Sequence, residues 1–266
     1  MSRLETLQSD GGAAVGPLAD DIRQLAPWFH NLRLTDGSET APDHPLGDFP
    51  SYQWRRIAAA LPFDLAGMRV LDVGCNAGFY AFEMSRLGAS VLAIDLDEHY
   101  LRQARWAEQH IVHGSSVEFR RASVYDVSGW GERYDLINFM GVFYHLRYPL
   151  LALDILASVC ERWLIFQSIT RGGDEAGGGS SQPPHHTPED LALSQLAPLS
   201  TRDWPSLAFV EHRLAGDLSN WWVPNEPAVF ALLRSAGFEV RKALAPETWL
   251  CQRVAERTGP RLEFSV

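Results

Sequence analysis

The chain has 266 residues, 46% of them hydrophobic and 21% charged, with a formal net charge of −10. This supports one large α/β domain plus an extension, and the acidic balance disfavours non-specific binding to nucleic acid. No run approaches the ~18 apolar residues of a membrane helix, MSRLETLQSD lacks a signal-peptide pattern, and three widely spaced cysteines (Cys75, Cys160, Cys251) offer neither a disulfide framework nor a zinc knuckle, so a cytoplasmic protein with no membrane partner is expected.

Residues 1 to about 17 are polar and Gly/Ala-rich and read as a loose terminus. Leu18 to Leu25 has the pattern of a short helix before Pro27. The aromatic segment Trp28 to Arg33 should pack on the domain. Ala41 to Pro50, with three prolines and a glycine, reads as a loop, and Tyr52 to Leu61 as a helix.

The stretch Arg69 to Phe82, RVLDVGCNAGFYAF, organises the rest of the chain. Val70, Leu71 and Val73 suit a strand buried on both faces, with Asp72 at its tip. Gly74 breaks the run and Gly78 precedes a helix carrying Tyr80, Phe82 and Met84. A strand, a glycine turn and a helix bring backbone N–H groups and a helix N-terminus to one point. Ser90 to Ile94 is a second strand ending in Asp95. That acid lies 95 − 74 = 21 residues after Gly74, near the ~20 typical of one that binds ribose hydroxyls. VGCNAGFY does not supply the G-x-G-x-x-G of a dinucleotide-binding dehydrogenase.

Further elements alternate along the chain: a helix over Glu98 to His110, a strand over Val117 to Arg120, and a loop holding Asp126. Tyr134 to Met140 is the fourth strand, followed by Gly141-Val142-Phe143-Tyr144-His145. Pro149 to Val159 is an apolar helix with proline in its first turn, and Arg162 to Gln167 is the fifth strand. This alternation predicts a doubly wound parallel sheet. Arg171 to Pro188, with five glycines and three prolines, reads as a mobile lid. Trp204 to Trp222 resumes packing. Glu226 to Ala236 is a helix stopped by Gly237, and Phe238 to Ala243 with Thr248 to Val254 is a closing antiparallel hairpin. No internal repeat is present. The expected division is an extension, 1–50, on a domain, 51–266, with a flexible insert near 171–222.

VLDVGCNAG and the following Asp95 resemble the first motifs of the class I S-adenosylmethionine-dependent methyltransferases. FMGVFYHLRYPLLAL, FQSIT and WWVPNEPAVFALLRSAGF resemble, more narrowly, the tRNA wobble-uridine carboxymethyltransferase family and its methyltransferase relatives. The likeness runs from about Trp28 to Cys251. It implies a Rossmann-like, seven-stranded doubly wound sheet with S-adenosyl-L-methionine across the carboxyl ends of the first two strands. It places Asp72, Gly74 and Gly78 on the methionine part, Asp95 on the ribose, Asp126 near the adenine, and Met140 with Tyr144 near the transferred group. Cys75, Asn76 and Leu96 complete the cofactor-binding set. Asn76 stands where the family has glycine, and asparagine tolerates positive φ. Carboxymethyl transfer would need cations for the extra carboxylate of carboxy-S-adenosyl-L-methionine. Only Tyr144 carries over, and no cation is placed beyond Arg33, merely a candidate, so the unmodified cofactor is the expectation.

Each residue also has a plainer reading. Gly74 and Gly78 serve ordinary turns, Asp72 can orient its own loop, Tyr144 can be a core aromatic, and His145 can cap the next helix instead of acting as general base. Trp221-Trp222 either walls the acceptor pocket or packs the insert. His110 and His113 have metal-ligand spacing without a third ligand, so no metal is expected; His185-His186 reads as solvated. Arg120-Arg121 is too short a basic run to argue for RNA. The expected function is methyl transfer to a small-molecule acceptor, a hydroxyl or other nucleophile. The alternatives are a tRNA wobble-uridine methyl- or carboxymethyltransferase and a non-catalytic cofactor-binding partner protein.

Overall fold

The computed structural model describes residues 17–112, 114, 117–172, 192, 194 and 196–254. Seven strands form the main sheet: β1 (Arg69–Val73), β2 (Ser90–Asp95), β3 (Val117–Arg121), β4 (Tyr134–Met140), β5 (Cys160–Gln167), β8 (Phe238–Ala245) and β9 (Thr248–Arg253). Their order is β3-β2-β1-β4-β5-β9-β8. The first five pair in parallel, and β9 runs antiparallel to both β5 and β8. The expected closing hairpin is therefore present, with β9 inserted between β5 and β8. The remaining strands, β6 (Leu207–Phe209) and β7 (Trp222–Pro224), form a separate antiparallel ribbon that the sequence reading did not anticipate.

Period-2 alternation divides the apolar side chains between two cores. Val70, Val91, Ala93 and Leu136 face one; Leu71, Val73, Leu92, Ile94 and Ile137 face the other. The first face is covered by α2 (Phe49–Ala60), α3 (Phe79–Arg86) and α4 (Glu98–Glu108), the second by α5 (Pro149–Val159) and α6 (Glu226–Ala236). α4 ends two residues before the expected His110. α5 has proline at N1, and α6 is capped by Asn225, whose side chain accepts from the Ala228 N–H at 2.9 Å. Gly237, at φ 88, ends α6 in the left-handed conformation that an L side chain resists.

Before the domain, α1 (Ala19–Gln24) precedes the buried Trp28, whose indole N–H donates to the Ile22 carbonyl at 2.8 Å. Trp28, Leu32, Leu34 and Ala41 join the same core as Phe79 and Phe82. The proposed lid, His113, His185-His186 and the N-terminal tail lie outside the described residues apart from positions 17, 171 and 172. Asp126 is not in a loop: it is the third residue of a 3-10 helix, Val124–Trp130. Ser123 and Asp126 form a capping box, with Asp126 Oδ2 accepting from the Ser123 N–H at 2.9 Å. No described helix is long and apolar enough to cross a membrane.

Candidate cofactor and acceptor site

In a parallel sheet, ligands collect outside the carboxyl ends of the strands. β1, β2 and β4 bring Asp72, the Gly74–Gly78 loop, Asp95 and Met140 to that edge, and a 3-10 turn, Phe143–His145, follows β4. Gly74 has φ 72, and a Cβ there would run into Cγ2 of Val142. Gly78 has φ 86, and its Cβ would meet Phe119 and Phe82 at 3.0 Å. Both positions thus require glycine for conformation and for close approach. Asn76 takes φ 51, the positive value that asparagine tolerates.

The loop's amides are largely spent on the protein itself. The N–H groups of Gly74 and Cys75 both donate to the Ile94 carbonyl, at 2.8 and 3.0 Å, and that of Gly78 to the Cys75 carbonyl at 2.9 Å. The Asn76 N–H donates to Asp95 Oδ2 at 2.9 Å, and the Ala77 N–H to Asn76 Oδ1 at 2.7 Å. The loop therefore presents shape and carbonyl groups, not the fan of free N–H donors expected from its sequence. Cys75 is buried beneath it, and burial holds the thiol well above its usual range, with Asp72 and Asp95 acting in the same sense.

Asp72 is 1% exposed. Its Oδ1 accepts from Asn138 Nδ2 at 2.8 Å, and Oδ2 is buried with no hydrogen-bond partner among the described residues. Burial pushes the carboxyl up to about 7, with Asp95 adding to the rise; the Asn138 amide and the Ala81 N–H pull the other way. A buried carboxylate with an open lone-pair face is suited to a cationic ligand. Asp95 accepts from the N–H groups of Asn76 and Asp97 at 2.9 Å each, which orients the carboxylate and leaves further lone pairs for hydroxyl donors. Burial raises its pKa and those two N–H groups lower it. Leu96 is 61% exposed beside it.

On the acceptor side, the Gly141 N–H donates to Gln167 Oε1 at 2.8 Å. A Cβ on Gly141 would lie 3.8 Å from the Tyr144 hydroxyl, so that hydroxyl sits over the end of β4. Burial pushes the phenol up to about 12, reinforced by Asp217 and Glu247. Tyr80 donates to Gln53 Oε1 at 2.8 Å; burial raises its pKa, and Asp72 and Tyr144 contribute. The Phe143–His145 turn thus lies near the helix that follows the glycine loop. The His30 ring packs on that helix, 5.7 Å from Tyr80 and 6.1 Å from Phe79. Burial, helped by His44, lowers the His30 imidazole to about 3 and keeps it neutral.

The His145 ring lies 4.4 Å from that of Tyr144, tilted 45° to it, and its Nδ1 lies 2.9 Å from Ser219 Oγ. Burial lowers its pKa, against Asp217 and the Ser219 backbone, which raise it. Trp221 anchors this segment by donating its N–H to the Tyr144 carbonyl at 2.8 Å. Arg147 lies 5.0 Å from the Trp221 ring, and Trp221 and Trp222 both pack with Phe209. Arg33, the candidate cation, is paired with Glu39 and Asp48 at 3.4 Å each. Asp126 is exposed, with Oδ2 committed to its cap. Asn138, Gln53, Gln167, Asp217 and Ser219 are not singled out by the sequence motifs. Asn138 was readable as a polar residue inside an apolar strand. Among the described residues no group of three or more His, Cys, Asp or Glu is placed to hold a metal ion.

A parallel sheet in this order, with one antiparallel strand, a glycine loop after β1 and an acid ending β2, defines the Rossmann-like class I fold of methyltransferases. A methyltransferase domain family matches residues 49–243, and the chain belongs to that family. It is 28% identical over 219 residues to a tRNA U34 carboxymethyltransferase of Pseudomonas fluorescens, covering 80% of this chain and 57% of that one. It is 37% identical over 97 residues to a ubiquinone biosynthesis O-methyltransferase of Cereibacter sphaeroides, covering 36% and 37%. The chain thus spans about half the length, or less, of these curated relatives. In fold it resembles the N-terminal domain of EvdMO1 with S-adenosylhomocysteine bound, with TM-score 0.60, 19% identity and coverage of 92% and 100%. It also resembles the magnesium protoporphyrin IX methyltransferase of Synechocystis, with TM-score 0.53, 17% identity and coverage of 94% and 93%. The Asp72 oxygen left without a partner among the described residues fits the ammonium of S-adenosylmethionine.

Proposed function

We propose that the protein transfers the methyl group of S-adenosylmethionine to a hydroxyl of a small-molecule acceptor, with Tyr144 at the reacting centre and His145 as general base. The observation that carries this reading is the Phe143–His145 turn. It sets a phenol and an imidazole directly after the strand that borders the glycine loop. Burial keeps His145 unprotonated near neutral pH, the state a base requires.

The bound sulfonium supplies an electrophilic methyl group to a nucleophile aligned with it. The protein's own contribution is positioning and proton transfer. Asp72 holds the methionine ammonium through its unpartnered Oδ2, and Gly74, Asn76 and Gly78, with the Cys75 backbone, shape the loop around that portion. Asp95 accepts from the ribose hydroxyls, Leu96 covers a face of the purine, and the segment at Asp126 borders the adenine. Met140 and Tyr144 flank the transferred group. An unmodified methyl donor is supported by the charges on Tyr144, both acidic, and by the pairing of Arg33 with Glu39 and Asp48. Three buried free thiols support a cytoplasmic location.

A second reading, methylation or carboxymethylation of a tRNA wobble uridine, is favoured by the naming of the Pseudomonas relative. Incubation of the protein with [methyl-14C]S-adenosylmethionine, or in parallel with carboxy-S-adenosyl-L-methionine carrying 14C in its carboxymethyl group, and either a small-molecule cell extract or total tRNA separates the two. Label in an alkali-stable ether of the small-molecule fraction is expected; label confined to tRNA would replace the first reading with the second.

A further inference from the structure

The segment between β6 and β7 places an acid and a hydroxyl on His145, and their chemistry determines where the imidazole carries its proton. Ser219 Oγ lies 2.6 Å from Asp217 Oδ1 and 2.9 Å from His145 Nδ1. A serine hydroxyl has one proton to donate, and a carboxylate only accepts. That proton therefore goes to Asp217. Ser219 Oγ must then accept from His145, which puts the ring proton on Nδ1. Asp217 Oδ2, 3.8 Å from the same nitrogen, favours the same arrangement. A neutral imidazole carries a single N–H, so Nε2 is left with its lone pair.

This arrangement is built into the backbone. Leu214 and Asp217 exchange two backbone hydrogen bonds, at 3.1 and 2.9 Å, around a two-residue turn. Its central residues, Ala215 and Gly216, have φ 52 and φ 91, both in the left-handed region. An alanine is disfavoured there, so the turn is held against local preference. Asp217 Oδ1 also accepts from the Ser219 N–H at 2.7 Å, and Trp221 ties the segment to the carbonyl of Tyr144. Turn, acid, hydroxyl and imidazole form a continuous chain ending at the acceptor side.

We propose that Asp217 and Ser219 are positioning residues that hold His145 as its Nδ1–H tautomer, so that Nε2 takes the acceptor's proton. The inference rests on the hydroxyl-acceptor reading above. As the acceptor oxygen bonds to the methyl carbon, its proton passes to Nε2 and the electron pair of the breaking carbon–sulfur bond stays on sulfur. The products are the methyl ether, S-adenosylhomocysteine and an imidazolium that Asp217 stabilises and solvent deprotonates. Asp217 is the charged group acting on His145, and the neighbouring Tyr144 phenol is neutral near pH 7.

Long-range 1H–15N spectroscopy of the full chain labelled with [15N]histidine reads the tautomer directly, with His145→Asn supplying the assignment. The wild type should show Nδ1 protonated and Nε2 bare at pH 7.5. Ser219→Ala should move at least half of the population to the Nε2–H form. Asp217→Asn should lower the His145 pKa by roughly one pH unit. It should also slow methyl transfer into the small-molecule extract about 10- to 100-fold, move its acid limb to lower pH, and leave the KM for S-adenosylmethionine unchanged. An Nε2–H tautomer in the wild type, or a tautomer and pH profile indifferent to both substitutions, would overturn the proposal. Because the spectroscopic arm needs no acceptor, that failure is distinct from the failure of the hydroxyl reading, which label found only in tRNA would signal.

Discussion

Asn138 Nδ2 donates to Asp72 Oδ1 at 2.8 Å from the directly paired position of the neighbouring strand, while Oδ2 of the same carboxylate is buried with no partner among the described residues. The pairing orients an acid at the end of β1 and leaves half of it for a ligand.

With a pKa near 7 against the ordinary 3.8, Asp72 binds its proton more tightly folded than unfolded. Its contribution to stability is therefore complete below about pH 3.8 and declines as pH rises through 7. A bound ammonium reverses the preference by favouring the carboxylate. Affinity for S-adenosylhomocysteine should thus rise about tenfold per unit up to pH 7 and then level, with uptake of ligand releasing a proton at pH 6. Calorimetry in two buffers of different ionisation enthalpy measures this. Asp72→Asn should abolish the proton release, and a wild-type affinity flat from pH 5.5 to 7.5 would remove Asp72 from the ligand.

Asp95 is expected to accept from ribose hydroxyls, a charge-assisted interaction of about 1.5–3 kcal/mol. Asp95→Ala should weaken S-adenosylhomocysteine roughly 10- to 150-fold, and Asp95→Asn, which retains an acceptor oxygen, should weaken it less. Equal affinities in folded variants would contradict the assignment.

Gly74 and Val142 are coupled by contact. Gly74→Ala combines a positive φ with a clash on Val142 Cγ2, so a loss of roughly 1–3 kcal/mol and a weakened cofactor site are expected. Val142→Ala in the same chain should return part of the lost melting temperature, because it removes the clash and leaves the backbone strain. A double variant less stable than the sum of the two singles would show that the contact is not the cause.

Tyr144→Phe keeps the ring in place and removes the hydroxyl over Gly141. Turnover on the small-molecule extract should fall roughly 5- to 150-fold, one hydrogen bond of about 1–3 kcal/mol at the reacting centre, with cofactor affinity nearly unchanged. Wild-type turnover in this variant would leave Tyr144 a packing residue.

The features legible in the sequence were local ones. The β1–Gly74–Gly78–α3 unit, Asp95 at the end of β2 and Pro149 opening α5 arise from residues adjacent in the chain whose conformational demands admit few alternatives. The loop placement of Asp126 missed that S-x-x-D, Ser123 to Asp126, is a capping signal. The partners of the site were hidden for a different reason. Asn138 reaches Asp72 through sheet register, 66 residues along the chain, and Ser219 reaches His145 across 74. Neither pairing leaves a periodic trace, and β6 and β7, three residues each, are too short to have one.

That a plain methyl group is what this site transfers is tested most directly by mass spectrometry of the nucleoside that copurifies with the freshly isolated protein. Acidic groups around Tyr144 and a paired Arg33 predict S-adenosylmethionine or S-adenosylhomocysteine. Recovery of a carboxylated sulfonium nucleoside as the principal ligand would contradict it.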